Sequence, residues 1–167
     1  MNINKKLIAA VAAGIIGVGG FAPIANAASS LSAGASARIA GALDISESTP
    51  LNFGAIDNTA GTVVIGEGTS PTYTFNTTAQ NDASITQGVF AVTGDASASY
   101  ALTIDSSTSI GNGTDTLGIA LTATQAGGGA LDGTGNDTVY VGGTLTVLGG
   151  ESSGLYTGNY NISVAYN

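Results

Sequence analysis

The chain contains no cysteine, no histidine and no tryptophan among its 167 residues. Without cysteine no disulfide can brace the fold, and no thiol can serve as a nucleophile or metal ligand. Without histidine the Ser-His-Asp arrangement and imidazole metal sites are excluded. Lysine is confined to Lys5 and Lys6, so no Schiff-base chemistry is available beyond them. Long apolar runs are also missing after the first residues, and no later stretch is long enough to cross a membrane as a helix. Nor does any later stretch keep a helical period over three turns.

The exception at the start has the form of a secretory signal. Lys5 and Lys6 form a basic region, Leu7 to Phe21 an apolar one interrupted by glycine, and Ala25-Asn26-Ala27 a small-x-small cleavage site. A retained anchor is the competing reading. The run is short for one, and Pro23 follows it directly. Residues 1–27 are therefore expected to be removed on export. Arg38 is then the only base facing eleven acids, a net charge of −10. Such a surface repels nucleic acid and anionic lipid, so neither is expected as a partner. The remaining 140 residues suffice for one self-standing core without cross-links.

Strand-length apolar runs recur between turn formers. They are expected at about 37–46 (Ile39, Leu43, Ile45), 50–56 (Leu51, Phe53, Ala55), 62–65, 72–76 (Tyr73, Phe75), 88–93 (Phe90, Val92) and 99–104 (Tyr100, Leu102, Ile104). Further runs follow at 117–124 (Leu117, Ile119, Leu121, Ala123) and 138–148 (Val139, Val141, Leu145, Val147), with a bulge or bend at Gly142-Gly143. Asp57-Asn58, Gly94-Asp95, Gly111-Asn112-Gly113, Gly127-Gly128-Gly129 and Gly149-Gly150 separate them. Eight or nine short strands at this spacing predict an all-β protein, an antiparallel sandwich. Phe53, Phe90, Tyr100, Leu102, Leu121, Val141 and Leu145 are the expected core.

Paired carboxylates could still hydrolyse a glycosidic bond. Every acid, however, lies in or beside a turn, with no aromatic or basic neighbours to form a sugar subsite, and no enzymatic role is expected. Asp132-Gly133-Thr134-Gly135-Asn136-Asp137 echoes half of a glycine-rich calcium nonapeptide. A single copy lacks a coordination shell, so an Asx-rich turn is the preferred reading. No metal and no cofactor is expected. Sequons at Asn76, Asn112, Asn136 and Asn161 are common by chance in this composition.

The two ends of the exported chain carry the strongest functional signal. At the C-terminal end Tyr156, Gly158, Tyr160, Ile162, Val164 and Tyr166 alternate with small and polar residues up to Asn167. This is a strand with one buried face and no later strand to pair with it. At the other end residues 28–37 are Ser, Ala and Gly with one Leu, and Arg38 closes the extension. Leu31, Ala33, Ala35, Ala37 and Ile39 share one face if the stretch is extended. A sandwich built this way lacks its final strand, and the extension of a neighbour can supply it. Tyr160, Ile162, Val164 and Tyr166 are then the acceptor residues, and Leu31, Ala33, Ala35, Ala37 and Ile39 the donor.

A resemblance points the same way. Leu43-Asp44-Ile45 with Leu51-Asn52-Phe53-Gly54-Ala55-Ile56, Phe90 to Gly94 running into Tyr100 to Ile104, and Val141 to Val147 followed by Gly154 to Gly158 and Val164-Ala165-Tyr166 stand in order along the chain. This ordered set resembles secreted Gram-negative pilin-like domains, similar to the subunits of chaperone–usher pili. The resemblance implies an immunoglobulin-like sandwich lacking its last strand over 39–167, with residues 28–38 as a donor extension. It also implies the other copies of the chain, a periplasmic chaperone and an outer-membrane usher as partners. The expected product is a non-covalent surface filament of a Gram-negative bacterium. A type IV pilin is disfavoured by Pro23 and Ala25. A sortase-linked pilin is disfavoured by the missing lysine. The alternative is a self-contained secreted sandwich that coats the cell or binds glycan.

Overall fold

The computed structural model describes residues 31–76 and 84–167; the expected signal peptide, 1–27, and residues 28–30 of the extension lie outside them. The chain divides into two units, 1–37 and 38–167. In the first unit, residues 31–37 carry no helix or strand and are exposed.

The second unit is built of strands β1 (Asp44–Thr49), β2 (Gly61–Ile65), β3 (Tyr73–Phe75), β4 (Gly88–Thr93), β5 (Ser99–Ile104), β6 (Ser107–Gly111), β7 (Thr116–Ala123), β8 (Gly129–Ala130), β9 (Asn136–Val147) and β10 (Ile162–Tyr166). No helix occurs among the described residues, and every ladder is antiparallel. Seven strands form one sheet and β10-β5-β8 a second, smaller one; the two make an open sandwich, as the spacing of strands predicts.

The twelve-residue β9 organises the large sheet. Its first half, Asn136–Val141, pairs with β4, whose outer edge carries β1. Its second half pairs with β2 at Gly143–Val147 and with β7 at Val141–Thr146. These two spans overlap, so β2 and β7 lie on opposite edges of β9. Gly142-Gly143, expected as a bend, sits where the partner changes from β4 to β2.

Alternation decides which side chains enter the core. In β7, Leu117, Ile119, Leu121 and Ala123 are buried and the residues between them exposed. Val139, Val141, Leu145 and Val147 are likewise buried along β9, where Gly142 and Gly143 are buried too and Tyr140 and Thr144 are half-buried, and Tyr100 and Leu102 of the small sheet belong to the same core cluster. All seven expected core residues are buried. Tyr100 is fully enclosed, and its hydroxyl donates a 2.7 Å hydrogen bond to Asp137 Oδ2.

Several boundaries differ from the sequence reading. The opening strand starts at Asp44, not 37, because the ladder with β4 ends at Asp44–Thr93. The run 50–56 forms no continuous strand, only isolated bridge positions at Asn52, which pairs with Thr86, and at Ile56. Gly54 adopts φ 71°, which turns the chain out of an extended path while Phe53 remains in the core. The closing strand is shorter than its alternation, starting at Ile162. The preceding residues are bound to β6 by a two-way Gly111–Thr157 bridge and by the Thr108 hydroxyl donating to Asn159 O. β6 and β8 were not expected; Ser107-Thr108-Ser109-Ile110-Gly111 has too little apolar alternation to be recognised alone.

Candidate acceptor cleft

The small sheet does not extend over the whole of the large one. Beyond it, the ends of β7 and β9 are covered by two irregular segments, 50–58 and 151–160, and between these opens a cleft of about 720 Å³. Its floor is Leu117 and Ile119 of β7 with Leu145 and Val147 of β9. These floor residues are all at most 5% exposed, so the cleft is deep and sheltered by its walls.

Each wall is fastened by backbone chemistry rather than by a sheet. In the first, Asn52 and Thr86 exchange backbone hydrogen bonds of 2.9 and 3.0 Å, and the Thr86 hydroxyl donates to Pro50 O at 2.7 Å. In the second, Ser152 N donates to Asp115 Oδ2 at 2.8 Å, and the Tyr156 hydroxyl donates to Ser152 O at 2.8 Å. Hydrogen bonding from the Ser152 side chain first, and then from its backbone N–H, holds the Asp115 carboxyl below the usual carboxylate range. The Glu151 carboxylate accepts from Leu148 N and Gly149 N, closing the turn after β9. Leu155, on this wall, stays largely in water.

The four expected acceptor residues divide. Tyr160 lines the cleft, whereas Ile162, Val164 and Tyr166 continue along β10, half-buried against the core. β10 pairs with β5 through Ile162–Ile104 to Tyr166–Tyr100, and no described strand occupies its other edge. The Tyr160 ring meets Phe90 edge-on at 6.3 Å. Its hydroxyl is buried with no hydrogen-bond partner among the described residues. Burial, with a smaller contribution from Glu47, pushes that hydroxyl's pKa up to about 12.

Of the expected donor face, Ala33, Ala35 and Ala37 are exposed, Leu31 is 93% exposed and Ile39 96% exposed. The first wall and most of the second were not foreseen as parts of this site. Their signal was present in the apolar residues Leu51, Phe53 and Ile56, which had been assigned to an ordinary strand.

The region weighed for calcium is a closed turn. Asp132 Oδ1 accepts from Thr134 N, the Thr134 hydroxyl and Asn136 N at 2.7–3.0 Å, and these bonds lower its carboxyl pKa. Among the described residues no cluster of acids could hold a metal. Among the described residues there is no helix, and so none long and apolar enough to cross a membrane; this says nothing of β-barrels.

No match to the chain is found among curated proteins or solved structures. A family profile covers residues 43–166, from the residue before β1 to the end of β10. The matched span contains the whole sandwich and both walls of the cleft, and by that match the chain belongs to the family described as Domain of unknown function (DUF4402).

Proposed function

We propose that this protein is a structural subunit of an extracellular surface filament, assembled non-covalently by strand donation. The supporting observation is the apolar cleft between segments 50–58 and 151–160, above Leu117, Ile119, Leu145 and Val147. A strand laid there would bury its alternate side chains and pair its backbone with a wall. Exposed apolar residues at Leu31 and Ile39 suit the donor role. The open edge of β10 and the cleft together explain a need for a periplasmic chaperone before an outer-membrane usher exports the subunit. The filament would stand on the surface of a Gram-negative cell.

Size-exclusion chromatography and electron microscopy of the exported chain test this. Residues 28–167 should form fibres. Leu31→Asp together with Ile39→Asp should leave the chain folded and monomeric, because both side chains are exposed and contribute nothing to their own domain. A chain that stays monomeric without these substitutions, at any concentration, would be a self-contained sandwich.

A further inference from the structure

The cleft is closed at one end. There Gly150 N donates to Asn58 O at 3.1 Å, and the Asn58 side-chain amide donates to Glu151 O at 3.4 Å, so the two walls are tied to each other. Gly149 packs onto the same point: a Cβ added to it would lie 3.2 Å from Ala60 N and Ala60 Cβ. The turn before β7 shuts the third side, where the Asn112 side-chain amide donates to Ser152 O at 3.3 Å and Ser152 N donates to Asp115. At the other end, lined by Pro50, Leu51 and Tyr160, no hydrogen bond joins the walls among the described residues. A strand entering there runs out of room at Asn58.

The closed end is also acidic. Asp57 and Glu151 line it, and Asp115 sits beside them, bonded to Ser152. Asp57 accepts from Thr59 N at 3.1 Å, and Glu151 from Leu148 N and Gly149 N. All three acids are half-buried, and among the described residues no lysine or arginine lines the cleft. The Tyr156 hydroxyl, on the second wall, feels this charge: burial first, then Asp115 and Glu151, raise its pKa. An apolar floor thus ends against three carboxylates.

What fits is a chain end that is cationic at its tip and apolar a few residues in. Removal of residues 1–27 would leave the exported chain two cationic groups, Arg38 and the α-amine of Ala28. Arg38 is engaged by Asp95 of its own chain at 3.1 Å, and Asp95 also accepts from Gly41 N at 2.9 Å. The α-amine, with an ordinary pKa of about 8, is charged at neutral pH. Three extended residues, about 10 Å, separate it from Leu31. With the amine at the closed end, Leu31 comes to lie over the floor.

We infer that the cleft captures a chain end: it receives the amino terminus of an exported second copy, with the Ala28 ammonium against Asp57, Glu151 and Asp115 and Leu31 on the floor. Capture of a terminal amine is a known mode of peptide recognition. The inference rests on the strand-donation reading and adds a control to it. Removal of the signal peptide creates the tip that the cleft accepts, whereas a precursor cannot fit residues 1–27 past Asn58. A copy becomes a donor only after that cleavage.

The acceptor for the test is the chain 28–167 with Leu31→Asp and Ile39→Asp, whose own extension is disabled. A peptide of residues 28–40, labelled at its C-terminus, is titrated against it with a free amine, acetylated, or preceded by a Gly-Ser leader. The free-amine peptide should bind saturably, and a photoreactive leucine at position 31 should crosslink to β7, β9 or the two walls, read by mass spectrometry. Acetylation should weaken binding about two- to fivefold, as for the loss of one surface charge partner. The leader should abolish binding. Asp57→Asn keeps an acceptor for Thr59 N and should shrink the acetylation penalty without weakening the acetylated peptide. Glu151→Gln gives the same comparison if Asp57→Asn does not fold. Equal affinity of all three peptides, or a penalty unchanged in both variants, overturns end capture and leaves strand donation standing. No binding of any peptide, with no polymer of the unsubstituted chain, overturns both.

Discussion

The two ends of β9 carry the same kind of residue under different roofs. Near Asn136 to Val141 the large sheet is covered by a second sheet, with Tyr100 and Leu102 buried in the same core cluster as Val92, Val139 and Val141. Near Leu145 and Val147 the roof is two bridged segments with a cleft between them. Alternation is equally strict at both ends, so the difference does not originate in β9 or β7. It lies in what the described residues supply on the opposite face: strands at one end and irregular segments at the other. Under the strand-donation proposal, the half-built layer over this apolar face would be the site of the added strand, and the well-built half would hold the domain together before that strand arrives.

That comparison can be broken by truncating core residues in each half. Phe90→Ala, in the covered half, should cost about 3–5 kcal/mol in denaturant melts, because the enclosing sheet cannot collapse onto the void. Leu121→Ala should likewise fall near the top of the roughly 2–5 kcal/mol range for leucine, and Leu117→Ala on the cleft floor near its bottom, since the walls can close inward. Equal losses at Leu117 and Leu121 would mean that the cleft half is as rigid as the other.

Tyr100→Phe sharpens the account of the covered half. Removing the donor to Asp137 should cost about 1.5–3 kcal/mol, as for a hydrogen bond to a charged group. Burial first, and then the Asp137 carboxylate, raise the Tyr100 pKa. A phenol whose folded pKa is raised stabilises fully below its unfolded value of about 10, and that contribution is lost as pH climbs towards the folded value. Stability measured by melts across the alkaline range should therefore fall above about pH 10, and less steeply in Tyr100→Phe.

The smallest effect is expected at the border between the halves. The Tyr160 hydroxyl is buried without a partner, so Tyr160→Phe removes an uncompensated polar group while keeping the contact with Phe90. It should change stability by no more than about 0.5 kcal/mol or raise it slightly. A loss above about 1 kcal/mol would place an acceptor for that hydroxyl.

The fold was largely legible because burial and alternation are the same information. Thr116 to Ala123 and Asn136 to Val147 declare their faces in sequence, and the core residues followed from them. The cleft was legible only in part. Phe53 and Leu51 have the pattern of a strand, but whether a strand forms depends on Gly54 and on a partner for its edge, which no local pattern contains. The alternation from Tyr156 to Tyr166 marked a face that packs inward, yet its first half is wall and its second half strand, because Gly111 and Thr108 capture residues 157–159. Asp95 was read only as a turn former beside Gly94. Its hold on Arg38 and Gly41 spans more than fifty positions and leaves no trace in spacing.

The most direct test of the whole account is an electron cryomicroscopy map of the fibre formed by residues 28–167. It should show an extended strand, residues 31–39 of the adjoining copy, lying in the cleft above Leu117, Ile119, Leu145 and Val147. A map in which the cleft is empty, or is filled by the same chain, would contradict it.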